Sequence, residues 1–316
     1  MIVEVTTHGS VIKRNHDSFV IKNNDSSSEI PAEKIDAIII SSNSLISTQA
    51  IRLCIEKEIQ LVVSNWTGRP IARLWSSTPG KATQIRRGQY LTQETKLAFE
   101  ISKHIVQIKL EKQRKFLRYL KNNRNNAPEQ IEKAISVITK SISAVSILEY
   151  SADVKNVLLG YEGSAAMQYF SAISKSLPIK WQFKDRSQNP ARDAFNATLN
   201  YLYGITYGSV EKIIILSGLD PNAGFYHSDI YGKPTLSFDI IELVRPDVDR
   251  TVVSIFTKKM AKESWFEEKS ESGISLSKDA RMFLISEYRE KNLKDVETTS
   301  WKFCRWLIEK IMENNK

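Results

Sequence analysis

Ser76-Ser77-Thr78-Pro79-Gly80, followed by Lys81-Ala82-Thr83-Gln84, separates two kinds of sequence. Small hydroxylated residues ending in Pro-Gly cannot continue a strand or a helix, so this stretch reads as a linker. Upstream of it the chain is a series of short β-branched runs, at residues 2–7, 10–13, 19–22 and 37–40. Gly9, Asn23-Asn24-Asp25 and Pro31 break these runs, which predicts strands and turns. One helix is expected among them, over residues 47–58, where Ile51, Leu53 and Ile55 supply an apolar stripe. Residues 59–63 and 70–74 flank Asn65-Trp66-Thr67-Gly68, a hairpin pattern with a glycine where the turn needs positive φ.

Downstream the period changes to that of a helix. Helices are expected over residues 84–120, 128–148, 153–174, 190–216, 236–258, 277–291 and 297–312. In the first, Ala98, Ile101, Ile105, Ile108 and Lys112 mark the expected stripe. Ala127-Pro128 with Glu129 in the first turn opens the second. Trp301, Phe303, Trp306, Leu307 and Ile311 make the last helix a core element. Residues 25–28 and 258–277 read as loops, and no internal repeat is visible. The expected class is α+β: a small, mainly β N-terminal domain over residues 1–78, then a larger all-α helical domain over 79–316.

The totals narrow the function classes. A chain of 316 residues with 41% hydrophobic residues can build a core. No apolar run reaches the ~18 residues of a membrane span, and the Met1-Ile2-Val3-Glu4-Val5 start lacks the features of a secretory signal. A cytoplasmic protein that does not engage a membrane is expected. Cys54 and Cys304 match no metal or redox spacing and read as two reduced thiols. The net charge of +9 is local: residues 81–124 hold twelve basic residues against Glu94, Glu100 and Glu111, and the segments on either side balance. A stripe including Arg86, Arg87, Lys103, Lys112, Arg114, Lys115 and Arg118 suits a phosphate backbone. A solvated helix face with no ligand is the alternative.

Chemistry concentrates in Gly224-Phe225-Tyr226-His227 and Asp239-Ile240-Ile241-Glu242-Leu243-Val244-Arg245-Pro246. Asp239 and Glu242 stand three apart on an expected helix, so both carboxylates should face one way. An imidazole facing such acids is a ready site for a divalent metal. Glu242 and Arg245 can equally form an ion pair. Glu162, in Leu158-Leu159-Gly160-Tyr161-Glu162-Gly163-Ser164-Ala165-Ala166, is an acid among small apolar neighbours. It needs a partner if buried, and a metal or an arginine would serve. No phosphate loop of Walker or dinucleotide spacing is present, which removes support for a hydrolase of small phosphorylated substrates.

Three blocks together carry a resemblance: Tyr161-Glu162-Gly163 with Ala165-Ala166 and Tyr169-Phe170; Asn196, Asn200 and Tyr201; and Gly218-Leu219-Asp220-Pro221 with the His227 and Asp239–Arg245-Pro246 stretches. In order and spacing they resemble the CRISPR-associated integrase family, the nuclease of spacer acquisition. The resemblance covers about residues 158–250 and, more loosely, Ile46-Ser47-Thr48 and the Gly68-Arg69-Pro70 hairpin. It implies metal ligands at Glu162, His227 and Glu242 with Asp239 in support, Mg²⁺ or Mn²⁺ as cofactor, and those three residues as catalytic. It also implies an endonuclease and integrase that inserts short DNA fragments into a CRISPR array by 3′-hydroxyl attack on a phosphodiester. The expected partners are double-stranded and branched DNA, a second copy through the β domain, and a smaller CRISPR-associated adaptation protein. Arg245 joins the basic residues as a candidate DNA contact. A non-catalytic basic DNA-binding protein is the competing reading.

Overall fold

A computed structural model describes residues 1–23, 25–65, 68–74, 81–123, 128–151, 153–227, 232–269 and 273–314. The expected linker at 76–80 and Trp66 lie outside them. The N-terminal region folds as two four-stranded sheets. In one, β1 (Ile2–Val5), β5 (Ala37–Ile40) and β7 (Gln60–Ser64) run parallel, and β8 (Pro70–Arg73) closes the edge antiparallel with a bulge at Val63/Ser64. In the other, β4 (Ser27–Pro31), β3 (Ser18–Lys22) and β2 (Val11–Asn15) pair antiparallel, and β6 (Leu45–Ile46) joins β2 in parallel. Helix α1 (Thr48–Glu56) begins at Ser47, whose hydroxyl caps Ala50 N at 3.2 Å.

The expected strands appear within a residue or two. β4 and β6 were not foreseen, because Ser27-Ser28-Glu29 and a two-residue strand have almost no periodic signal. Part of the expected 25–28 loop is therefore strand. The β5 register explains how the two halves join. Ile38 and Ile40 point into the N-terminal core with Val3, Val5, Phe19 and Leu53. Ala37 and Ile39 point the other way, with Val62, onto Ile215, Leu216 and Trp301. A strand buried on both faces reads as a continuous apolar run, as Ala37-Ile38-Ile39-Ile40 does.

The remainder is mainly helical: α2 (Lys81–Thr92), α3 (Lys96–Asn122), α4 (Glu129–Ser146), α5 (Val154–Ser176), α6 (Ala194–Leu216), α7 (Thr235–Ile241), α8 (Arg245–Thr257), α9 (Lys278–Lys291) and α10 (Leu293–Asn314). Its core runs from Ile101 and Ile105 on α3 through Tyr169, Phe195 and Val252 to Leu307 and Ile311. Helix α6 is apolar nearly all round and buried along its length. The β7–β8 hairpin approaches it so closely that a Cβ at Gly208 would stand 2.9 Å from Arg69 Cα.

Four expected elements are corrected. The helix over 84–120 is two helices, broken at Gln93-Glu94-Thr95, where Thr95 turns extended. The amides of Gln89 and Gln93 reach instead to carbonyls of Ala223 (2.7 Å) and Gly224 (2.8 Å), which pins α2 to the loop before His227. The helix over 236–258 stops at Ile241 and restarts at Arg245, because Pro246 has no N–H to donate and restricts the residue before it. The 258–277 loop contains a hairpin, β9 (Phe266–Lys269) with β10 (Gly273–Leu276), whose Phe266 and Leu276 pack on the core. Helix α6 starts at Ala194 rather than 190, capped by the Asp193 carboxylate on Asn196 N.

Candidate active site

The Gly224–His227 loop is built around one carboxylate. Asp239, on α7, is fully buried. Its Oδ2 accepts from the amides of Phe225 (2.6 Å) and Tyr226 (3.0 Å), and its Oδ1 accepts from His227 N (2.9 Å). Asp239 Oδ1 also lies 2.7 Å from His227 Nδ1. That contact places the ring hydrogen on Nδ1 and leaves Nε2 as the lone-pair nitrogen, the arrangement that orients metal-binding histidines. Gly224 is required here: a Cβ would come within 2.9 Å of Asp239 Oδ2 and 2.8 Å of the Thr235 carbonyl carbon.

Glu242 caps α7 in the turn before α8, so it does not share Asp239's partners. Glu242 keeps helical φ and ψ one residue past the end of α7, and both carboxylates border the Tyr226–His227 loop while holding different partners. The Glu242 side chain is 4% exposed and takes two cations, Arg245 on Oε1 and Lys109 Nζ at 2.5 Å from Oε2. Lys109, on α3 and 8% exposed, also pairs with Glu162 on α5. Three helical regions thus bring two acids onto one ammonium. Burial pushes the Glu242 carboxyl up, but Arg245 and Lys109 outweigh it and hold the group at about 2. Burial alone would lower the Lys109 ammonium; Glu242 and Glu162 reverse this and raise it. The Tyr226 hydroxyl, buried and near both glutamates, has no hydrogen-bond partner among the described residues, and burial drives it well up.

The structure therefore brings Glu162 and Glu242 together and presents His227 from Asp239 beside them, with His227 close enough to lower the Glu242 carboxyl further. A closed three-ligand sphere is not formed: among the described residues no trio of His, Cys, Asp and Glu stands ready to hold an ion. Lys109 fills the space between the two glutamates. Its place was readable: Lys109 falls four residues after buried Ile105 and four before buried Gln113, on the inward stripe of α3. The expected stripe through Ile108 and Lys112 was off by one position.

The basic residues divide. Arg86 bonds the Gly218 carbonyl (3.1 Å), Lys103 the Leu148 carbonyl (2.8 Å), Lys112 pairs with Asp247 (2.6 Å), and Arg114 with Glu111 (2.7 Å). Arg245 is committed to Glu242 and to the Tyr207 hydroxyl (2.6 Å). Arg87, Lys115 and Arg118 stand exposed. Asn196 and Asn200 hold Arg186 (2.8 and 2.5 Å), so that block shapes the 185–193 loop. Sequence reasoning also missed buried Asp249, on α8, which accepts from Tyr203 (2.5 Å) and Tyr169 (2.8 Å) hydroxyls.

No helix among the described residues is long and apolar enough to cross a membrane. The family model described as "CRISPR associated protein Cas1" matches residues 3–290. A CRISPR-associated endonuclease Cas1 of Pyrobaculum aerophilum is 30% identical over 298 residues, covering 94% of this chain and 92% of that protein. A Cas4/Cas1 exonuclease–endonuclease fusion of Leptospira interrogans is 30% identical over 276 residues, 84% of this chain; the match spans 49% of the fusion's length. Two solved structures share the fold at 20% identity and a TM-score of 0.77: a casposase bound to its integration product (98% of this chain, 96% of that one) and a partial Cas6-RT-Cas1–Cas2 complex (99% and 96%). A family match over nearly the whole length, with this fold, places the chain in the CRISPR-associated Cas1 family.

Proposed function

We propose that the chain is a divalent-metal-dependent DNA endonuclease and strand-transfer integrase that inserts short DNA fragments into a CRISPR array. The observation that carries this reading is the convergence of Glu162 and Glu242 on one buried cationic point beside His227. Two carboxylates and an imidazole whose Nδ1 is held by Asp239 are the donor set of a Mg²⁺ or Mn²⁺ site, the imidazole favouring Mn²⁺. The Lys109 ammonium stands where such a cation's charge is wanted. A bound ion would supply Lewis acidity, activating a 3′-hydroxyl or a water and screening the charged phosphorus centre.

The chain's own residues do the positioning. Asp239 fixes the imidazole and its loop, α2 holds that loop from behind, and Arg245 keeps Glu242 ionised. Arg87, Lys115 and Arg118 supply exposed charge for a phosphate backbone. A second copy joined through the N-terminal region fits the edge strand β8, where Ile71 is 69% exposed, and a smaller Cas2-type partner fits the likeness to a Cas1–Cas2 assembly. The work is placed in the cytoplasm.

The test is strand transfer of a DNA fragment with free 3′ ends into a plasmid carrying a repeat, with Mn²⁺, with Mg²⁺ and with chelator. His227→Ala should lower transfer by about a hundredfold or more while DNA retention changes little. Full activity in that variant, or transfer indifferent to chelation, overturns the metal-site reading, and DNA retention with no transfer under any condition leaves a basic DNA-binding protein.

A further inference from the structure

The Lys109 contacts say more than that the acids are neutralised. Lys109 reaches both glutamates with one nitrogen, from a position on the buried stripe of α3 rather than from the surface. We infer that Lys109 is a built-in counter-ion that occupies the place of the divalent cation, so that the ion binds only as the Lys109 ammonium leaves. The inference rests on the metal-dependent reading above and specifies how that site is kept when no ion is bound.

Charge balance carries it. Glu162, Glu242 and the Asp239 carboxylate behind His227 bear three negative charges, and Lys109 with Arg245 bears two positive ones, so the cluster holds one surplus negative charge as it stands. A divalent cation added beside Lys109 would turn this into a surplus positive charge in a site where burial makes it costly. With Lys109 withdrawn the cluster is balanced with the ion bound. Arg245 is not the group that leaves: it is tied to Glu242, to the Tyr207 hydroxyl and to the face of the Tyr203 ring, 4.9 Å away. Among the described residues the Lys109 ammonium pairs only with the two acids, and it has a flexible four-carbon stem with which to swing. The arrangement also keeps two ligand carboxylates from repelling each other before an ion arrives.

The test is Mn²⁺ binding by the full chain, read by calorimetry and by counting free Mn²⁺ with electron paramagnetic resonance. Lys109→Met should bind Mn²⁺ about tenfold tighter than the wild type, since a competing charge at contact distance is gone. Its metal-free melting temperature should fall, and Mn²⁺ should restore more of it than in the wild type. Glu162→Gln should bind more weakly than either, which ties the ion to this site. A purely structural lysine would not raise metal affinity when removed. If Lys109→Met binds Mn²⁺ no more tightly than the wild type, the counter-ion role is overturned while the metal reading stands. If neither chain binds Mn²⁺, both fall. Should Lys109→Met fail to fold, acetylation of the wild-type chain decides: modification of Lys109 should rise severalfold when Mg²⁺ is added, and unchanged modification under Mg²⁺ saturation sinks the proposal.

Discussion

Glu242 and Asp249 are buried carboxylates seven residues apart, and their surroundings drive them in opposite directions. Burial pushes both up. Around Glu242 the guanidinium of Arg245 and the ammonium of Lys109 reverse that push, and the group settles at about 2. Around Asp249 the nearest partners are the Tyr203 and Tyr169 hydroxyls, and with the Arg186 and Arg245 guanidiniums farther off they only soften it, so the group settles at about 6. A neutral donor offsets a fraction of the desolvation that a full charge at contact distance removes. The comparison separates a carboxylate held ionised across the whole working pH range from one in the core that gains its proton just below neutral pH. Arg245 borders both, pairing with Glu242 and lying over the Tyr203 ring.

The largest break in this contrast comes from removing the ionised member. Glu242→Gln leaves Lys109 and Arg245 buried with one carboxylate between them. It should cost about 3 kcal/mol of stability and abolish strand transfer. Urea unfolding in chelator measures the first and the integration assay the second; a near-neutral unfolding result would mean that the cations find water.

The second break uses pH. Asp249 has an ordinary value of 3.8 and a folded value of about 6, so the folded chain holds this proton more tightly than the unfolded chain does. Its contribution favours folding below about pH 4 and is lost as pH rises through about 6, about 3 kcal/mol in all. Glu242 has the opposite sign: its contribution is present above its ordinary 4.5 and is lost as pH falls through about 2. Between about pH 4 and 7 the Asp249 slope should therefore stand alone of the two. Asp249→Asn should flatten the wild-type decline of urea stability across that window, and an unchanged slope would assign the decline elsewhere.

How much of this was legible in the sequence follows from the kind of signal each part carries. The switch from β-branched runs to helical periodicity on either side of residues 76–80 gave the two-part fold, because periodicity is local. The break between α2 and α3 was hidden, since the side-chain amides of Gln89, inside α2, and Gln93, just past its end, anchor to carbonyls 134 and 131 residues away, which no local pattern shows. The restart at Arg245 was hinted at by Pro246, and the 236–258 helix passed over it. Glu162, His227, Asp239 and Glu242 stood out because acids among small or apolar neighbours demand partners. Lys109 was counted with the surface charge, although its spacing from Ile105 and Gln113 put it inside. Asp249 was invisible for a different reason: its partners, Tyr169 and Tyr203, lie on other helices and look like ordinary core aromatics.

The finest test of the contrast removes one hydroxyl and nothing else. Tyr169→Phe keeps the edge contacts of the ring with Phe116 and Phe170, at 6.4 and 5.2 Å between centroids, and deletes the donor to Asp249 Oδ2. A hydrogen bond to an ionised carboxylate contributes about 2 kcal/mol and one to a neutral acid about 1 kcal/mol. The substitution should therefore cost more at pH 7, where Asp249 is ionised, than at pH 5, where it is largely protonated. The stability decline should extend to higher pH in the variant before it levels off, because losing a donor penalises the anion alone and raises the folded-state value, while the unfolded value that sets its onset is unchanged. The corresponding change near Glu242, Tyr207→Phe, removes a hydroxyl that accepts from Arg245 rather than one that donates to a carboxylate, and its cost should not vary across the same window. Equal costs at pH 5 and pH 7 for Tyr169→Phe would mean that Asp249 does not change its ionisation there. The difference between the two carboxylates would then lie in packing and not in charge.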